Sequence, residues 1–387
     1  MLSDIHAHSK ARLESGEAAP SYAEISAPEL APVNPFTALE ELISREALSA
    51  EVLVSGGDMG DRATPEAVQY AWSRIRRLAP ALNSTVMLAA TGNHDMDSRA
   101  INNFDAKAIL QGLEDYPFGD TLMKNDYWAN NVVVQEHPAF RSVLLNSSAY
   151  HGYAKEWEHG RVSQRTREYL KQRLRETVDP GLNVLVTHHQ VYKYGSVDLD
   201  DKSEMQEASA LLEDLGSGEF GSWLVIHGHR HWPAISHAGG GRGAPIVFSA
   251  GSFSAVLWKE LQGRARNQFY ILDLEETRPG DPIRGRFRAW DWVSDQGFLR
   301  AQPRSGLTYC GGFGGALNGA QLARQVSDHF ETLDSGYVAW ADVEAAVTDA
   351  AYTMPSDFAQ FKRVLKETYG LTLLQDDDGI PTQLGRM

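Results

Sequence analysis

The sequence has very little cysteine and no long apolar run. Its single cysteine, Cys310, excludes a disulfide framework and a zinc site built from several cysteines. No stretch approaches the ~18 consecutive apolar residues of a membrane span. The N-terminus also lacks a basic segment followed by an apolar one, so we expect no secretory signal. These absences predict a cytoplasmic protein that does not enter a membrane.

Basic residues are also scarce relative to acidic ones. The 387-residue chain carries 36 Lys and Arg against 51 Asp and Glu, a formal net charge of −15. Such a surface repels polyanions over most of its area, so binding to nucleic acid is disfavoured. A small anionic substrate remains compatible, because bound metal ions can reverse the sign of the charge locally.

Short apolar runs alternate with helical patterns over much of the chain. The runs that we interpret as buried strands are 52–54, 86–90, 132–134, 143–145, 184–186, 223–226 and 246–248. Thr64 and Pro65 are predicted to begin one helix, and Ser163 begins another that ends near residue 178. This alternation indicates a layered α/β domain. The later runs 269–274 and 286–290 have no helix between them, which favours mixed sheets.

Two stretches look irregular. Residues 9–36 contain four prolines, and a loop of that length is usually a lid, a binding loop or disordered. Residues 306–319 contain six glycines, which predict a domain boundary. We therefore divide the chain into a domain at 1–300, a Gly-rich linker at 301–319 and a small α+β module at 320–387.

The C-terminal module is predicted to hold two helices and a hairpin, for which a winged-helix-like arrangement is one option. This segment contains 5 Lys and Arg against 11 Asp and Glu, a net charge of −6. Because that charge disfavours DNA, we expect the module to contact a protein, another subunit or the first domain.

Histidine is abundant and unevenly placed. Of the 13 histidines, eight lie in four short clusters, which are His6 and His8, His94, His188 and His189, and His227, His229 and His231. Three of these clusters directly follow a predicted strand, and layered α/β proteins bind ligands at the carboxyl ends of strands. We therefore expect clusters that are far apart in the sequence to meet in space.

Five short blocks carry a metal-binding pattern. They read Asp4-Ile5-His6, Gly57-Asp58-Met59-Gly60-Asp61, Gly92-Asn93-His94-Asp95, Thr187-His188-His189 and Gly228-His229-Arg230-His231. Side chains at i and i+2 of an extended segment point the same way, so Asp4 and His6 can face one ion. The carboxylate of Asp58 can bridge two cations. Each block alone is more often a turn, a cap or a buried histidine, but their joint occurrence favours a metal site.

In this order, the blocks resemble the signature of the calcineurin-like metallophosphoesterases, which is Asp-x-His, Gly-Asp-x-x-Asp, Gly-Asn-His-Asp/Glu, His and Gly-His-x-His. The resemblance covers about residues 4–231 and continues more weakly to about 292. It implies a four-layer αββα sandwich of two mixed sheets flanked by helices, here followed by a small helical C-terminal extension. The family places a central strand just before the first Asp, whereas three residues precede Asp4. We therefore expect either a longer natural product or a sheet that lacks most of this strand.

The resemblance also implies a centre of two divalent metal ions. Its ligands would be Asp4, His6 and His231 for the first ion, Asn93, His188 and His229 for the second, and Asp58 for both. His94 would be the catalytic residue beside the metals, and the choice of His188 over His189 stays open. Imidazole, carboxylate and amide ligands without thiolate suit manganese, iron, zinc, nickel or cobalt.

The activity implied by the family is hydrolysis of phosphate esters by a metal-bridging hydroxide. Residues 145–148 and 160–174 resemble class III cyclic nucleotide phosphodiesterases and glycerophosphodiesterases, although Gln190 stands where that subgroup usually has proline. We therefore favour a phosphodiesterase acting on a small phosphoester, with a cyclic nucleotide as one option. A DNA exonuclease is the alternative enzyme, and a non-catalytic scaffold is the alternative class. The intact ligand set argues against the scaffold, and the basic residues at 161–175 are more typical of a solvated helix face than of a DNA footprint.

Overall fold

The computed structural model describes residues 1–153, 156–193, 203–239, 241, 243–303 and 306–386. The helices are α1 (Lys10–Glu14), α2 (Pro35–Glu46), α3 (Pro65–Ala81), α4 (Ala106–Gly112), α5 (Thr121–Asn130), α6 (Gln164–Arg175), α7 (Ala208–Gly216), α8 (Gly319–Phe330), α9 (Trp340–Ala346) and α10 (Pro355–Tyr369). Short 3-10 turns lie at Glu156–Glu158 and Thr348–Tyr352. Among the described helices, none combines the length and apolar character needed to cross a bilayer.

The strands are β1 (Val52–Ser55), β2 (Val86–Ala89), β3 (Val132–Glu136), β4 (Arg141–Leu145), β5 (Asn183–Val186), β6 (Trp223–His227), β7 (Ala234–His237), β8 (Ile246–Ser249), β9 (Gln268–Leu274), β10 (Gly285–Val293), β11 (Gly297–Arg300), β12 (Cys310–Phe313), β13 (Tyr337–Ala339), β14 (Leu371–Gln375) and β15 (Pro381–Arg386).

One sheet has six strands in the order β3-β4-β5-β6-β8-β7. Its inner strands β4, β5, β6 and β8 are parallel, and the outer strands β3 and β7 are antiparallel to their neighbours. Val184, Leu185 and Val186 of β5 are all buried. Inner strands covered on both faces show continuous apolar runs rather than alternation, which is why the sequence pattern identified them.

The second sheet consists of two parts joined by the N-terminal residues. β1 pairs with β2 in parallel, whereas β9, β11 and β12 pair with β10 in antiparallel fashion. Leu2 donates a backbone hydrogen bond to Val54 at 3.0 Å, and Tyr270 donates one to Met1 at 3.1 Å. Met1 and Leu2 therefore lie between β1 and β9, at the centre of a mixed layer.

Apolar side chains fill the spaces between four layers. Leu88, Leu224 and Phe248 belong to the core between the two sheets. Helices α2 and α3 pack through a second core that includes Trp72, and α6 and α7 pack through a third that includes Leu170. The order helix, sheet, sheet, helix confirms the α/β sandwich expected from the sequence.

The C-terminal segment has its own small core. α8, α9 and α10 pack on a three-stranded antiparallel sheet in the order β13-β15-β14, with Leu322, Phe361 and Leu384 buried between them. The sequence patterns predicted α9, α10 and the hairpin but missed α8 and β13. The elements follow one another in the order helix, strand, two helices and two strands, and the winged-helix-like arrangement stays a prediction.

The Gly-rich segment at 301–319 differs from a plain linker. Its strand β12 pairs with β10, so this segment forms part of the second sheet. A side chain at Gly311 would approach the Phe287 ring to 2.6 Å, and one at Gly312 would collide with the backbone of Ala351 and Tyr352. The glycines therefore permit close packing between the sheet and the C-terminal segment.

Candidate metal centre

The predicted ligands meet at one end of the two sheets. Asp58, Asn93, His188 and His229 each follow the carboxyl end of a strand, which is β1, β2, β5 and β6 respectively. Residues 4–7 run beside the loop after β1, where the backbone N–H of His6 donates to the carbonyl oxygen of Asp58 at 3.0 Å. Strand ends from both sheets thus place side chains from distant parts of the chain around one point.

Several of these ligands have strained backbones. Those with left-handed φ are Asp4 (54°), His6 (51°), Asp58 (54°), His229 (73°) and His231 (52°). Non-glycine residues adopt this region rarely, and it persists only where surrounding contacts hold it. Such clustering is typical of functional sites.

Three serine hydroxyl groups hold the first strained segment. Ser252 donates to the carbonyl oxygen of Asp4 at 2.7 Å, Ser254 to that of Ile5 at 2.7 Å, and Ser21 to that of His6 at 2.8 Å. Consecutive carbonyl groups are therefore satisfied by side chains rather than by a strand partner. The ladder of a sheet could not provide these bonds, because the backbone here has left the extended region.

Asp4, His6 and His231 form the first group of ligand atoms, which lie within 4.8 Å of one another. The Nε2 atoms of His6 and His231 are 3.2 Å apart, and His231 Nε2 lies 3.3 Å from Asp4 Oδ1. Asp4 is fully buried. Burial alone would raise the pKa of Asp4, but the charge and hydrogen bond of His231, together with the charge of His188, outweigh burial and lower it to about 2.

The second group consists of Asn93, His188 and His229. Asn93 Oδ1 lies 3.0 Å from His188 Nε2 and 2.9 Å from His229 Nδ1. Asp58 joins the two groups, because its Oδ2 atom is 3.3 Å from His188 Nε2 and 3.6 Å from His6 Nε2. The structure therefore brings all seven predicted ligands together, with Asp58 in the middle.

The contacts of His188 show that this donor set fits a cation. Its Nδ1 atom lies 2.7 Å from the carbonyl oxygen of Gly56 and must donate to it, which leaves a lone pair on Nε2 of the neutral ring. That atom faces the oxygens of Asn93 and Asp58, which are also acceptors. Such converging lone pairs require a proton or a metal ion between them.

The ionisation states of three histidines also indicate that the donor set fits a cation. Burial lowers the pKa of His188, but the carboxylates of Asp58 and Asp4 and the hydrogen bond to Gly56 together outweigh burial and raise it to about 9. Burial and the neighbouring His94 lower the pKa of His6 to about 3, and burial holds that of His229 well below its usual range. His6 and His229 are therefore neutral at pH 7, the state in which imidazole binds metals.

His189 lies outside the ligand cluster and supports it. Its Nδ1 atom is 2.9 Å from the hydroxyl group of Ser147, and its ring lies 4.4 Å from that of His229. Of the two adjacent histidines, His188 therefore lies among the candidate ligands, whereas His189 packs behind them. Nothing in the sequence distinguishes the two, because the difference arises from the turn after β5.

Asp95 connects the loops that carry two of the ligands. Its carboxylate accepts backbone hydrogen bonds from Met59 at 2.7 Å, Gly60 at 3.1 Å and Gly92 at 2.8 Å. Burial and the nearby Asp58 raise its pKa to about 6. Although Asp95 belongs to the third block, the sequence pattern did not reveal this supporting role.

Glycines in the blocks allow the loops to approach closely. A side chain at Gly92 would collide with the backbone nitrogen of Asp58. A side chain at Gly228 would lie 2.5 Å from Asp4 Oδ2. The blocks therefore require glycine beside the ligands for steric reasons.

His94 lies at the exposed side of the centre. Its ring centroid is 4.6 Å from that of His6, and its Nδ1 atom is 3.4 Å from Asp61 Oδ1. A cavity of about 380 Å³ over the ligands is bordered by Arg230 and Trp258. A second cavity, of about 530 Å³, extends beyond His94.

The second cavity contains residues that sequence patterns did not identify. Arg62, Arg99 and Trp157 line it, and the guanidinium group of Arg99 lies 4.5 Å from the centre of the Trp157 ring. Asp61, Asn93 and His94 line both cavities. These aromatic and basic residues follow no regular spacing in the sequence. Only their proximity in the folded chain indicates a role at the site.

Comparison with known proteins gives one family and a distant structural likeness. The model of the family described as calcineurin-like phosphoesterase matches residues 1–258. Among solved structures, the chain is similar to the purple acid phosphatase PPD1 from yellow lupin (Lupinus luteus) seeds, with 12% identity and a TM-score of 0.46. The similarity covers 68% of this chain and 48% of that one, so the chain spans about half the length of the lupin enzyme. No curated protein sequence matches.

Proposed function

We propose, because the chain belongs to the calcineurin-like phosphoesterase family, that it hydrolyses phosphodiesters with two divalent metal ions bound around Asp58. The observation that carries the proposal is the convergence of two ligand groups on this carboxylate. Asp58 Oδ2 reaches toward His6 on one side and His188 on the other, at 3.6 and 3.3 Å. One carboxylate placed in this way can serve two cations.

The proposed ligands divide between the two ions. The first would be held by Asp4, His6 and His231, and the second by Asn93, His188 and His229. When bound, such a pair of ions lowers the pKa of a water molecule and neutralises charge on the phosphate oxygens. The nitrogen, carboxylate and amide donors suit manganese, iron, zinc, nickel or cobalt.

His94 is proposed to supply the proton that the leaving alkoxide needs. Its side chain is 37% exposed, so a substrate can reach it. His94 Nδ1 lies 3.4 Å from Asp61 Oδ1, so Nε2 is the atom that is proposed to hold this proton. The backbone N–H of His94 also donates to Asp58 Oδ1 at 2.7 Å, which fixes the main chain of His94 beside Asp58.

The second cavity supports a phosphoester whose leaving alcohol carries a sizeable organic group. Because His94 borders both cavities, the protonated oxygen would lie between the phosphate and the 530 Å³ space. That space can accept the organic group of the leaving alcohol, and the Arg99 and Trp157 pair offers a flat surface for a planar group. A small phosphoester with a ring system, such as a cyclic nucleotide, matches these features.

The basic face of α6 supports a small substrate over DNA. Arg167 pairs with Asp214 at 2.7 Å, and Arg175 pairs with Glu219 at 2.7 Å. These ion pairs neutralise much of the positive charge that a nucleic-acid footprint would require. We therefore do not propose an exonuclease.

The test compares hydrolysis of bis-p-nitrophenyl phosphate and p-nitrophenyl phosphate with added Mn²⁺. The wild type is expected to cleave the diester faster, and Asp58→Asn is expected to lose nearly all activity. The matched control is Asp105→Asn, at the exposed N-cap of α4, which should behave as the wild type. A preference for the monoester would contradict a phosphodiesterase. Two bound ions without hydrolysis of either ester would favour a scaffold.

A further inference from the structure

His151 is a buried histidine that belongs to none of the five metal-binding blocks. It lies in the loop that follows β4. Burial lowers its pKa to about 4, so its ring is neutral at pH 7. A neutral ring can pack close to metal ligands without repelling a bound cation. The contacts of this ring lead to two of the candidate ligands.

The first route runs from His151 to Asn93 through hydrogen bonds. Nε2 of His151 lies 3.1 Å from the carbonyl oxygen of His159. A carbonyl group only accepts, so Nε2 of the neutral ring carries the hydrogen and Nδ1 has a lone pair. Nδ1 lies 2.7 Å from the hydroxyl oxygen of Ser98, which in turn lies 2.5 Å from the carbonyl oxygen of Asn93. The Ser98 hydroxyl group is thus held between His151 and the main chain of Asn93.

The second route runs from His151 to His229 through ring packing. The ring centroid of His151 lies 5.2 Å from that of His189, with an angle of 31° between the planes. The His189 ring lies 4.4 Å from that of His229. Three imidazole rings therefore pack one behind another, from the loop after β4 to the loop after β6.

Main-chain contacts join the same loops independently of the His151 side chain. The hydroxyl group of Ser148 donates to the carbonyl oxygen of Thr91 at 2.9 Å. The backbone N–H of Gly152 donates to the carbonyl oxygen of Ser98 at 3.2 Å. Because these bonds flank His151 along the chain, the loop after β4 should stay in place when the His151 ring is replaced.

We propose that His151 is a positioning residue for the second metal ion of the proposed centre. It acts on Asn93 through Ser98 and on His229 through His189, and both Asn93 and His229 are proposed ligands of that ion. The inference rests on the proposed function, because it assumes two bound ions. It does not depend on which ester the protein hydrolyses.

The ligands of the first ion are held by a different part of the chain. Ser252 donates to the carbonyl oxygen of Asp4, and Ser21 donates to that of His6. These supports do not pass through the loop after β4. Loss of the His151 ring should therefore weaken the binding of the second ion and leave that of the first ion unchanged.

The test measures the number and the stepwise affinity of Mn²⁺ ions bound to the full chain by equilibrium dialysis. His151→Phe keeps an aromatic ring and removes both hydrogen bonds, so it should bind one ion as the wild type does and the second about 10–100-fold more weakly. His151→Asn can again form a hydrogen bond with Ser98 and should recover part of the lost affinity.

His137→Phe is the matched control. His137 also lies beside a serine hydroxyl group, since its Nε2 atom is 2.9 Å from Ser142 Oγ, but it belongs to the turn between β3 and β4. This variant should bind both ions as the wild type does. The Tm of each variant without metal shows whether the substitution disturbs the fold as a whole.

Three results for the variants would overturn the inference. They are equal weakening of both ions in His151→Phe, wild-type affinity for both ions in that variant, and no stronger binding of the second ion by His151→Asn. Fewer than two bound Mn²⁺ ions in the wild type would contradict this inference together with the two-ion centre. Two bound ions with a selective effect of His151→Phe, but no ester hydrolysis, would contradict only the proposed function.

Discussion

The Nδ1 atom of His188 lies 2.7 Å from the carbonyl oxygen of Gly56. Gly56 follows β1 and His188 follows β5, so this hydrogen bond connects the two sheets beneath the candidate metal centre. It also fixes the ring so that Nε2 faces Asn93 and Asp58. A partner of this kind raises the basicity of a ligating imidazole, which strengthens metal binding.

The two adjacent histidines should therefore behave differently when each is removed. His188→Ala is expected to lose one of two bound metal ions and most activity. His189→Ala should keep both ions but bind them about 10–100-fold more weakly. The reason is that the His189 ring packs against His229 and holds this proposed ligand in position. Metal content after dialysis against graded chelator concentrations measures both effects. Equal loss of metal in the two variants would contradict the assignment.

His94 should affect turnover without affecting metal content. We expect His94→Ala to keep both ions and to lower kcat by about 10²–10⁴-fold, since general acid catalysis contributes about this much. The loss should be largest for diesters with poor leaving groups, which depend most on protonation. Rates across a series of aryl esters of increasing leaving-group pKa measure this dependence. If the loss is the same along the whole series, His94 does not protonate the leaving oxygen.

The meeting of the candidate metal ligands in space could be predicted from the sequence, because metal binding restricts the residue types. Asp58 and His229 stand directly after strand-like runs, and the topology then brings such strand ends together. The starts of two helices could also be predicted from the sequence, since Pro65 begins α3 and the Ser163 side chain caps α6. The predicted end of α6 near residue 178 lay beyond its actual end at Arg175, because Val178 turns out to be exposed.

The residues that hold the candidate ligands in place and line the cavities could not be predicted from the sequence. Ser21 and Ser252 hold the segment at 4–6 from distant positions, and no local pattern marks a serine for this task. Trp157 and Trp258 border the cavities but look like any other aromatic residue in the sequence. These roles depend on contacts across the fold, which a single sequence does not encode in its spacing.

The buried amino group of Met1 should make stability depend on pH. Its pKa is lowered from 8.0 to about 5 in the folded chain, so the unfolded chain binds more protons between these values. Stability should therefore rise as the pH increases from 5 to 8, by on the order of 4 kcal/mol at most. Acidic residues also line the cavity of about 730 Å³ beside Met1, and these are Glu51, Asp273, Glu275 and Glu276.

Nα-acetylation provides the control for this dependence, because it removes the titrating amine and leaves the acidic residues unchanged. Urea unfolding of the free and acetylated chains at pH 5.5 and pH 8 measures the difference. The acetylated chain should lose the part of the pH dependence that belongs to Met1. The same slope with pH in both chains would show that another group is responsible.

Anomalous diffraction from crystals soaked in Mn²⁺ tests most directly whether Asp58 lies between two metal ions. We predict two peaks about 3.5–4 Å apart on either side of the Asp58 carboxylate. One should lie among Asp4, His6 and His231, and the other among Asn93, His188 and His229. A single peak, or peaks away from Asp58, would contradict a binuclear centre.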